Sequence, residues 1–386
     1  MWLNKKICFM SVSHSPFDDR IYKKEALTLA ENGFEVYHLC YGSSEESFVT
    51  DDNIHIIQLQ KKNKGKSIKT ILAALKQTKL QDMFNIANEL QADVYHLHDV
   101  ELCRIAIKLK KLPHSPKVIY DAHEPYLDNL IDFWQNKSIA KLLFNDIPAV
   151  FSEKKILKKV DFLIATEENV ANMFWKKNKN CAIIYNYSFF FLENQNKNTE
   201  KIYDIIYCGK ISKSKGIFLT LNALIETKKR GYNYSFLVVG NFESEKVEKK
   251  VTKIIKKNQL EKQVKFIGQV KFEDIGKYYN LCKIGLCILY KNRSNKKILP
   301  IKIFEYPAFG LPIVGSNFGH IGEIIKKEKI GITVNQSDSK EVAKSLIYLL
   351  ENSRYKEMQE RCINCVKEKY LWENQKEKLL NIYKSC

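Results

Sequence analysis

The sequence predicts an α/β protein of two doubly wound domains, each a parallel sheet flanked by helices. Three observations carry this. The chain has 386 residues, too many for one typical domain and enough for two of about 150–200. Hydrophobic residues make up 45% and charged residues 28%, with only 15 Gly and 8 Pro, a composition that buries real cores and is neither disordered nor fibrous. Short β-branched apolar runs alternate with longer helix-period segments throughout, the pattern of βαβ units.

Taken in order, the first half predicts strands over 7–14, 35–41, 55–59, 94–98, 118–121, 162–165 and 182–185, with helices over 20–32, 68–90, 101–111 and 152–160. The pattern breaks at the polar stretch 192–201, the best linker signal in the chain. A second series follows, with strands over 204–209, 236–240, 264–267, 285–289, 312–315 and 332–334 and helices over 217–230, 244–257, 274–282 and 340–351. Domains are therefore expected over 1–190 and 203–367, joined by 191–202, with 368–386 as a last helix. Two such halves are expected to face each other across a cleft at the carboxyl ends of both sheets.

No stretch reaches the roughly 18–20 apolar residues a membrane span needs, and the start Met1-Trp2-Leu3-Asn4-Lys5-Lys6 has no apolar signal core, so neither secretion nor a span is expected. The ten cysteines sit in apolar runs or on helices and read as core residues in a reducing cytoplasm. Cys362 and Cys365 form a lone CxxC with no second pair at metal-site spacing, so no metal site is expected. The formal charge of +19 favours nucleic acid, anionic lipid or phosphorylated small molecules. No helix-turn-helix, RRM, KH or zinc pattern accompanies it, and its lysines are spread rather than striped, which argues against nucleic acid.

Two segments carry chemistry. In Tyr207-Cys208-Gly209-Lys210-Ile211-Ser212-Lys213-Ser214-Lys215-Gly216-Ile217 a strand ends at Gly209 and a helix opens at Gly216. A helix start offers unpaired N–H groups, and Lys210 and Lys215 add charge for a diphosphate. A solvated lysine-rich loop is the alternative. Pro300-Ile301-Lys302-Ile303-Phe304-Glu305-Tyr306, followed by Gly310-Leu311-Pro312-Ile313-Val314, reads as a short helix, a stop and a buried strand. Lys302 and Glu305 share one helix face, and the carboxylate suits a ribose diol, although a surface Glu–Lys pair has the same spacing. In the first half, His123 stands at a strand end, where this class of sheet builds its site. Asp18, Asp19 and Arg20 follow the first strand and fit either a ligand contact or a helix cap.

Together these segments resemble the retaining glycosyltransferases of family 4, the group 1 glycosyl transferases, whose fold is GT-B with two Rossmann-like domains. The resemblance extends to His14-Ser15-Pro16-Phe17-Asp18-Asp19-Arg20-Ile21, to Val94-Tyr95-His96-Leu97-His98-Asp99, to Asp121-Ala122-His123-Glu124 and to the ending Tyr370-Leu371-Trp372. It implies transfer of a sugar from a UDP- or GDP-sugar to a glycan or lipid-linked acceptor, in polysaccharide, capsule or lipopolysaccharide synthesis. It implies catalytic roles for His123, Lys210 and Lys215, and donor binding by Gly209, Gly216, Lys302, Glu305, Gly319 and Glu323. Asp19, Arg20 and Glu124 are expected on the acceptor side. No metal or other cofactor is expected. Many relatives carry a second glutamate eight residues before Glu305, where this chain has Lys297. A nucleotide-sugar 2-epimerase and a non-catalytic basic binding protein are the alternatives. Work at the inner face of a membrane is expected, with a basic amphipathic helix over 61–90 and an aromatic segment over 127–151 as candidate contacts.

Overall fold

The computed structural model describes residues 4–60, 78–123, 147–189, 199–292 and 295–385. The chain forms two compact units, Met1–Asn186 with Trp372–Cys386, and Tyr187–Leu371. The second is thus inserted into the first. The crossings follow from packing rather than polarity. Lys24 Nζ donates to Asn186 Oδ1 at 2.6 Å in the first unit, whereas Tyr187 packs edge-on against Phe304 and Tyr370, at 4.9 and 5.3 Å, in the second. The last segment, expected from residue 368, re-enters the first unit at Trp372, which is buried there.

The first unit is an eight-stranded sheet: β1 Lys6–Met10, β2 Glu35–Gly42, β3 Glu46–Val49, β4 Ile54–Gln60, β5 Val94–Leu97, β6 Lys117–Ala122, β7 Phe162–Ala165 and β8 Cys181–Ile183, in the order β3-β4-β2-β1-β5-β6-β7-β8. Every pairing is parallel except β3 with β4. The sequence does not announce β3: Glu46-Ser47-Phe48-Val49 is an exposed edge with no buried side to impose alternation. The order reverses between β1 and β5, which makes their carboxyl ends the switch point of the sheet. The predicted helix over 20–32 begins as wide turns, Asp19–Ala26, with Lys23 N–H donating to Asp18 O, and continues as Leu27–Glu31. Asp18 caps it, accepting from the N–H groups of Arg20 and Ile21 at 2.9 and 3.1 Å.

In the second unit, β9 Tyr203–Cys208, β10 Phe236–Val239, β11 Val264–Gly268, β12 Cys282–Cys287, β13 Ile313–Ser316 and β14 Gly331–Val334 form an all-parallel sheet in the order β11-β10-β9-β12-β13-β14. Alternate residues of β9 enter opposite cores: Ile205 and Tyr207 join Leu221, Leu224 and Leu346, while Ile206 and Cys208 join Phe304, Tyr306 and Ile321. Helices therefore cover both faces, as the continuous apolar strands predict.

The last helix, Glu373–Ser385, returns to the first unit. Trp372 is fully buried and its Nε1 donates to Thr28 Oγ1 at 3.0 Å, and Gln375 Oε1 accepts from Tyr185 N–H at 3.2 Å. Replacing Trp372 with Ala is expected to destabilise the first unit by about 3–5 kcal/mol, read as a lowered urea midpoint.

His38 on β2 is equally enclosed. Its Nδ1 donates to the carbonyl of Pro16 at 3.0 Å, so Nε2 is the acceptor for Ser11 Oγ at 2.9 Å. Burial pushes this imidazole down from 6.5 to about 4 and that of His96 down to about 3. Both values lie below those of the unfolded chain, so the stability they contribute is complete above pH 6.5 and is lost as pH falls toward 4. Glu25, raised well above 4.5 by burial, acts in the opposite sense. The expected observation is therefore a difference: between pH 7 and 5 the wild type loses roughly 2 kcal/mol more than His38→Asn, measured by denaturant titration at each pH.

Candidate active site

In the first unit, polar residues gather at the carboxyl ends of β1, β5 and β6. Asp99, just past β5, clamps the loop after β1: its Oδ2 accepts from Val12 and Ser13 N–H groups at 2.6 and 3.2 Å. His14 on that loop bonds Asp18 through Nδ1 at 3.0 Å and packs edge-on against the His123 ring at 5.0 Å. Burial alone would lower the His14 imidazole; the bond to Asp18 and the charges of Asp18, Asp99 and Asp121 outweigh it and hold it above 6.5. His14 and His123 have side chains 27% and 17% accessible and form the solvent-reaching edge. Behind them His98, His96, Asp121 and Glu25 are buried. His123 Nε2 lies 3.0 Å from His98 Nδ1, and its carbonyl accepts from Thr166 Oγ1 at 2.8 Å.

Arg20 corrects an expectation. It does not face an acceptor: only 3% exposed, it donates Nε and Nη2 to Asp121 Oδ2 at 2.9 and 2.8 Å and Nη1 to the carbonyl of Ile184 at 3.0 Å, and Nη2 stands as an ion-pair neighbour 2.9 Å from Glu25 Oε1. A strand-end loop that becomes a helix turns this residue inward, and buried carboxylates take up its charge. Asp19 likewise accepts from the buried Lys24 Nζ at 2.7 Å. Glu124 lies outside the described residues. His14, His98, Asp99 and Asp121 receive no role from the residues alone. Their signal is a polar residue at every second position, His96/His98 and Asp121/His123, within otherwise apolar strands. The β5–β6 register, with His96 beside Ile119, sets the two pairs side by side.

In the second unit, the carboxyl ends of β9 and β12 meet the helix Lys302–Ala308. Tyr306 fastens that helix, its hydroxyl accepting from Cys208 N–H at 3.0 Å, and Gly285 leaves the room its ring fills. Lys302 then points over the end of β9: Nζ lies 5.4 Å from the Tyr207 ring centre and would be 2.9 Å from any Cβ on Gly209, whose φ of +126° also favours glycine. Burial works against the Lys302 charge, but the field of Tyr207, Cys287, Cys208 and Glu305 holds its pKa above 10.5. Glu305 is 4% exposed, with Oε2 accepting from Tyr279 Oη at 2.8 Å. Lys302 and Lys215 both act on Cys287, whose thiol burial pushes up to about 11. Gly209, Lys215, Lys302 and Glu305 are thus brought to one edge of the sheet, with Glu305 buried and Lys302 half-buried beside it.

Other predicted residues have different surroundings. Lys210 is exposed, and its carbonyl is the anchored group, accepting from Tyr207 Oη at 2.8 Å. Gly216 and Gly319 make room for protein rather than for a ligand: added Cβ atoms would lie 2.9 Å from Ile288 O and 2.5 Å from Lys296 O. Glu323 is exposed and pairs with His320 at 3.3 Å. Cys362 and Cys365 are buried free thiols on the helix Tyr355–Lys369. Of the basic segment 61–90, residues 61–77 lie outside the described residues, as does most of 127–151, and no described helix is long and apolar enough to cross a membrane.

Residues 189–369 match the family of glycosyl transferases group 1. An uncharacterized glycosyltransferase of Haemophilus influenzae is 22% identical over 353 residues, covering 90% of this chain and 91% of its own. Among solved structures, sucrose-phosphate synthase of Thermosynechococcus elongatus superposes with a TM-score of 0.73 at 14% identity, covering 99% of each chain. HepE of Anabaena in complex with UDP and glucose does so at 0.70 and 13%, covering 99% of this chain and 100% of that one. The two structures establish a fold of the GT-B kind. The second unit matches the glycosyl transferases group 1 domain over nearly its whole length, and the chain is a transferase enzyme similar to glycosyltransferases.

Proposed function

We propose that the chain is a retaining transferase that takes its sugar from a nucleoside-diphosphate sugar and passes it to a glycan or lipid-linked acceptor in surface-polysaccharide, capsule or lipopolysaccharide synthesis. The observation that carries this is the half-buried, charged Lys302 set against the bare backbone of Gly209, with the buried and oriented Glu305 carboxylate one turn along the helix. A cation surrounded by an aromatic ring and thiols is a strong partner for a diphosphate, and Lys215 adds a second charge from the same edge. Breaking the anomeric bond leaves negative charge on the departing diphosphate, and preorganised cations stabilise it there. Glu305 accepts from the ribose hydroxyls, Tyr279 keeping its carboxylate in one orientation. Glu323 stands on the nucleotide side and Lys210 at its rim, while Gly216 and Gly319 permit the close backbone packing beside them.

His123 belongs to the edge of the first unit that meets sugar or acceptor, with His14 beside it. No metal enters this scheme: the lysines supply the positive charge. HepE binds UDP and glucose, which favours a UDP-sugar as donor. A net charge of +19 suits work against an anionic membrane surface at its cytoplasmic side.

Calorimetry against UDP-, GDP-, CMP- and dTDP-sugars tests the donor site. One nucleotide class is expected to bind, and Glu305→Ala to weaken it by about 1–3 kcal/mol, as for the loss of charge-assisted hydrogen bonds. Unchanged affinity in that variant would remove Glu305 from the site. Lys302→Met is expected to weaken UDP itself, and loss of that effect in a nucleoside without phosphates would place the lysine on the diphosphate.

A further inference from the structure

Behind His123 lies a group of atoms whose hydrogen bonding is incomplete. His96 Nε2, His98 Nε2, both Glu25 oxygens and Asp121 Oδ1 are buried and have no hydrogen-bond partner among the described residues. Ligand atoms of Glu25, His96, His98 and Asp121 lie within 4.8 Å of one another, a spacing that would also suit a metal ion. The Arg20 guanidinium already supplies a cation there, 2.9 Å from Glu25 and 2.8 Å from Asp121. One proton on Glu25, directed at the Asp121 carboxylate, brings the sum of charges to zero, with Arg20 positive, Asp121 negative and the imidazoles neutral. Burial and the neighbouring Asp121 raise the Glu25 carboxyl, while Arg20 holds that of Asp121 down, in agreement with that distribution.

One of the two nitrogens that meet across the 3.0 Å gap, His98 Nδ1 or His123 Nε2, carries the proton of that hydrogen bond. Asp121 Oδ2 faces both nitrogens, 3.5 Å from His123 Nε2 and 3.6 Å from His98 Nδ1, and accepts from whichever carries it. Glu25, at the other end of the His98 ring, therefore decides between them. If His98 Nδ1 donated, His123 Nε2 would accept that bond, but His98 Nε2 would be left presenting a lone pair to Glu25 Oε2, 3.8 Å away. With the proton on His123 Nε2, that N–H faces both His98 Nδ1 and Asp121, and His98 Nε2–H faces Glu25. The second arrangement sets donors against acceptors at both ends of the His98 ring.

We propose that Asp121 and His98 are positioning residues for His123: they hold its Nε2–H turned inward, so that Nδ1 presents its lone pair to the ligand. This rests on the reading of His123 as a site residue. It gives that residue a definite chemistry, since a neutral imidazole offering Nδ1 accepts from a hydroxyl and does not donate to a phosphate oxygen. Arg20 fixes Asp121, and Tyr383, whose hydroxyl meets His96 Nδ1 at 2.5 Å, closes the far end of the group.

The test is nitrogen NMR of the full chain with ¹⁵N-labelled histidine rings, His123 being assigned by the signal lost in His123→Asn. The expected result is a proton on His123 Nε2 that exchanges slowly enough to be seen and is coupled through the hydrogen bond to His98 Nδ1. The coupling disappears in His98→Leu. In His98→Asn, where Oδ1 stands in for Nδ1, the Nε2 proton of His123 stays visible. A proton on His98 Nδ1 instead, an uncoupled pair in the wild type, or a stoichiometric metal ion in the purified protein would each overturn the proposal. Should His98→Leu fail to fold, the wild-type coupling and His98→Asn still decide. UDP calorimetry on the same wild-type sample separates the two readings: the coupling without UDP binding sinks the donor site and leaves this inference standing.

Discussion

The Arg20 guanidinium ties together chain segments that are otherwise far apart. From the wide first turns of its helix it reaches Asp121 on β6 and the carbonyl of Ile184, 101 and 164 residues away in sequence. Taking a full charge out of water is costly, and only close opposite charge with complete hydrogen bonding offsets it. Arg20 meets that condition with two carboxylates and a carbonyl. The consequence spreads outward: with Asp121 fixed, the imidazoles of His98 and His123 have an anchored neighbour, and the edge of the sheet inherits its geometry from an interaction wholly inside it. The loop after β1 is held in the same way, by Asp99, Asp18 and His38.

The second unit also sets a cation at its strand ends, half-buried, and gives it different company. Lys302 has a tyrosine ring, two thiols and the carboxylate of Glu305 around it, where Arg20 has two carboxylates in direct contact. A guanidinium with a fork of donors suits permanent internal pairing, whereas a point-charge ammonium keeps part of its field for an arriving anion. The buried cation therefore serves architecture and the half-buried one suits ligand binding.

Much of the fold was legible in the residues. Parallel strands buried on both faces read as continuous apolar runs, so every strand of the second unit was placed to within a few residues; β3 was not, because an exposed edge strand has no buried side to print a pattern. In the site, Lys302 and Glu305 were legible as a pair because three residues of helix bring them together. The burial of Glu305 was not, since it depends on Tyr279, which packs against it from elsewhere in the unit. Arg20 was misplaced for a related reason. A charged residue in a polar loop reads as exposed, and nothing local shows that two carboxylates, one of them 101 residues on, await it inside.

The return of Trp372–Cys386 to the first unit bears on how the molecule is made. A ribosome delivers Met1–Asn186 first, but the tryptophan and the tyrosine that complete its core and meet His96 come only after Tyr187–Leu371 has been added. At roughly 5–20 residues per second this is a wait on the order of ten to forty seconds. During it, the groove for Trp372 and the buried imidazoles stay open to water, while the inserted unit, whose strands and helices are contiguous, is free to fold. The unit begun first is thus the one finished last, and nascent chains interrupted before Trp372 would carry a folded second unit on an unfinished first one.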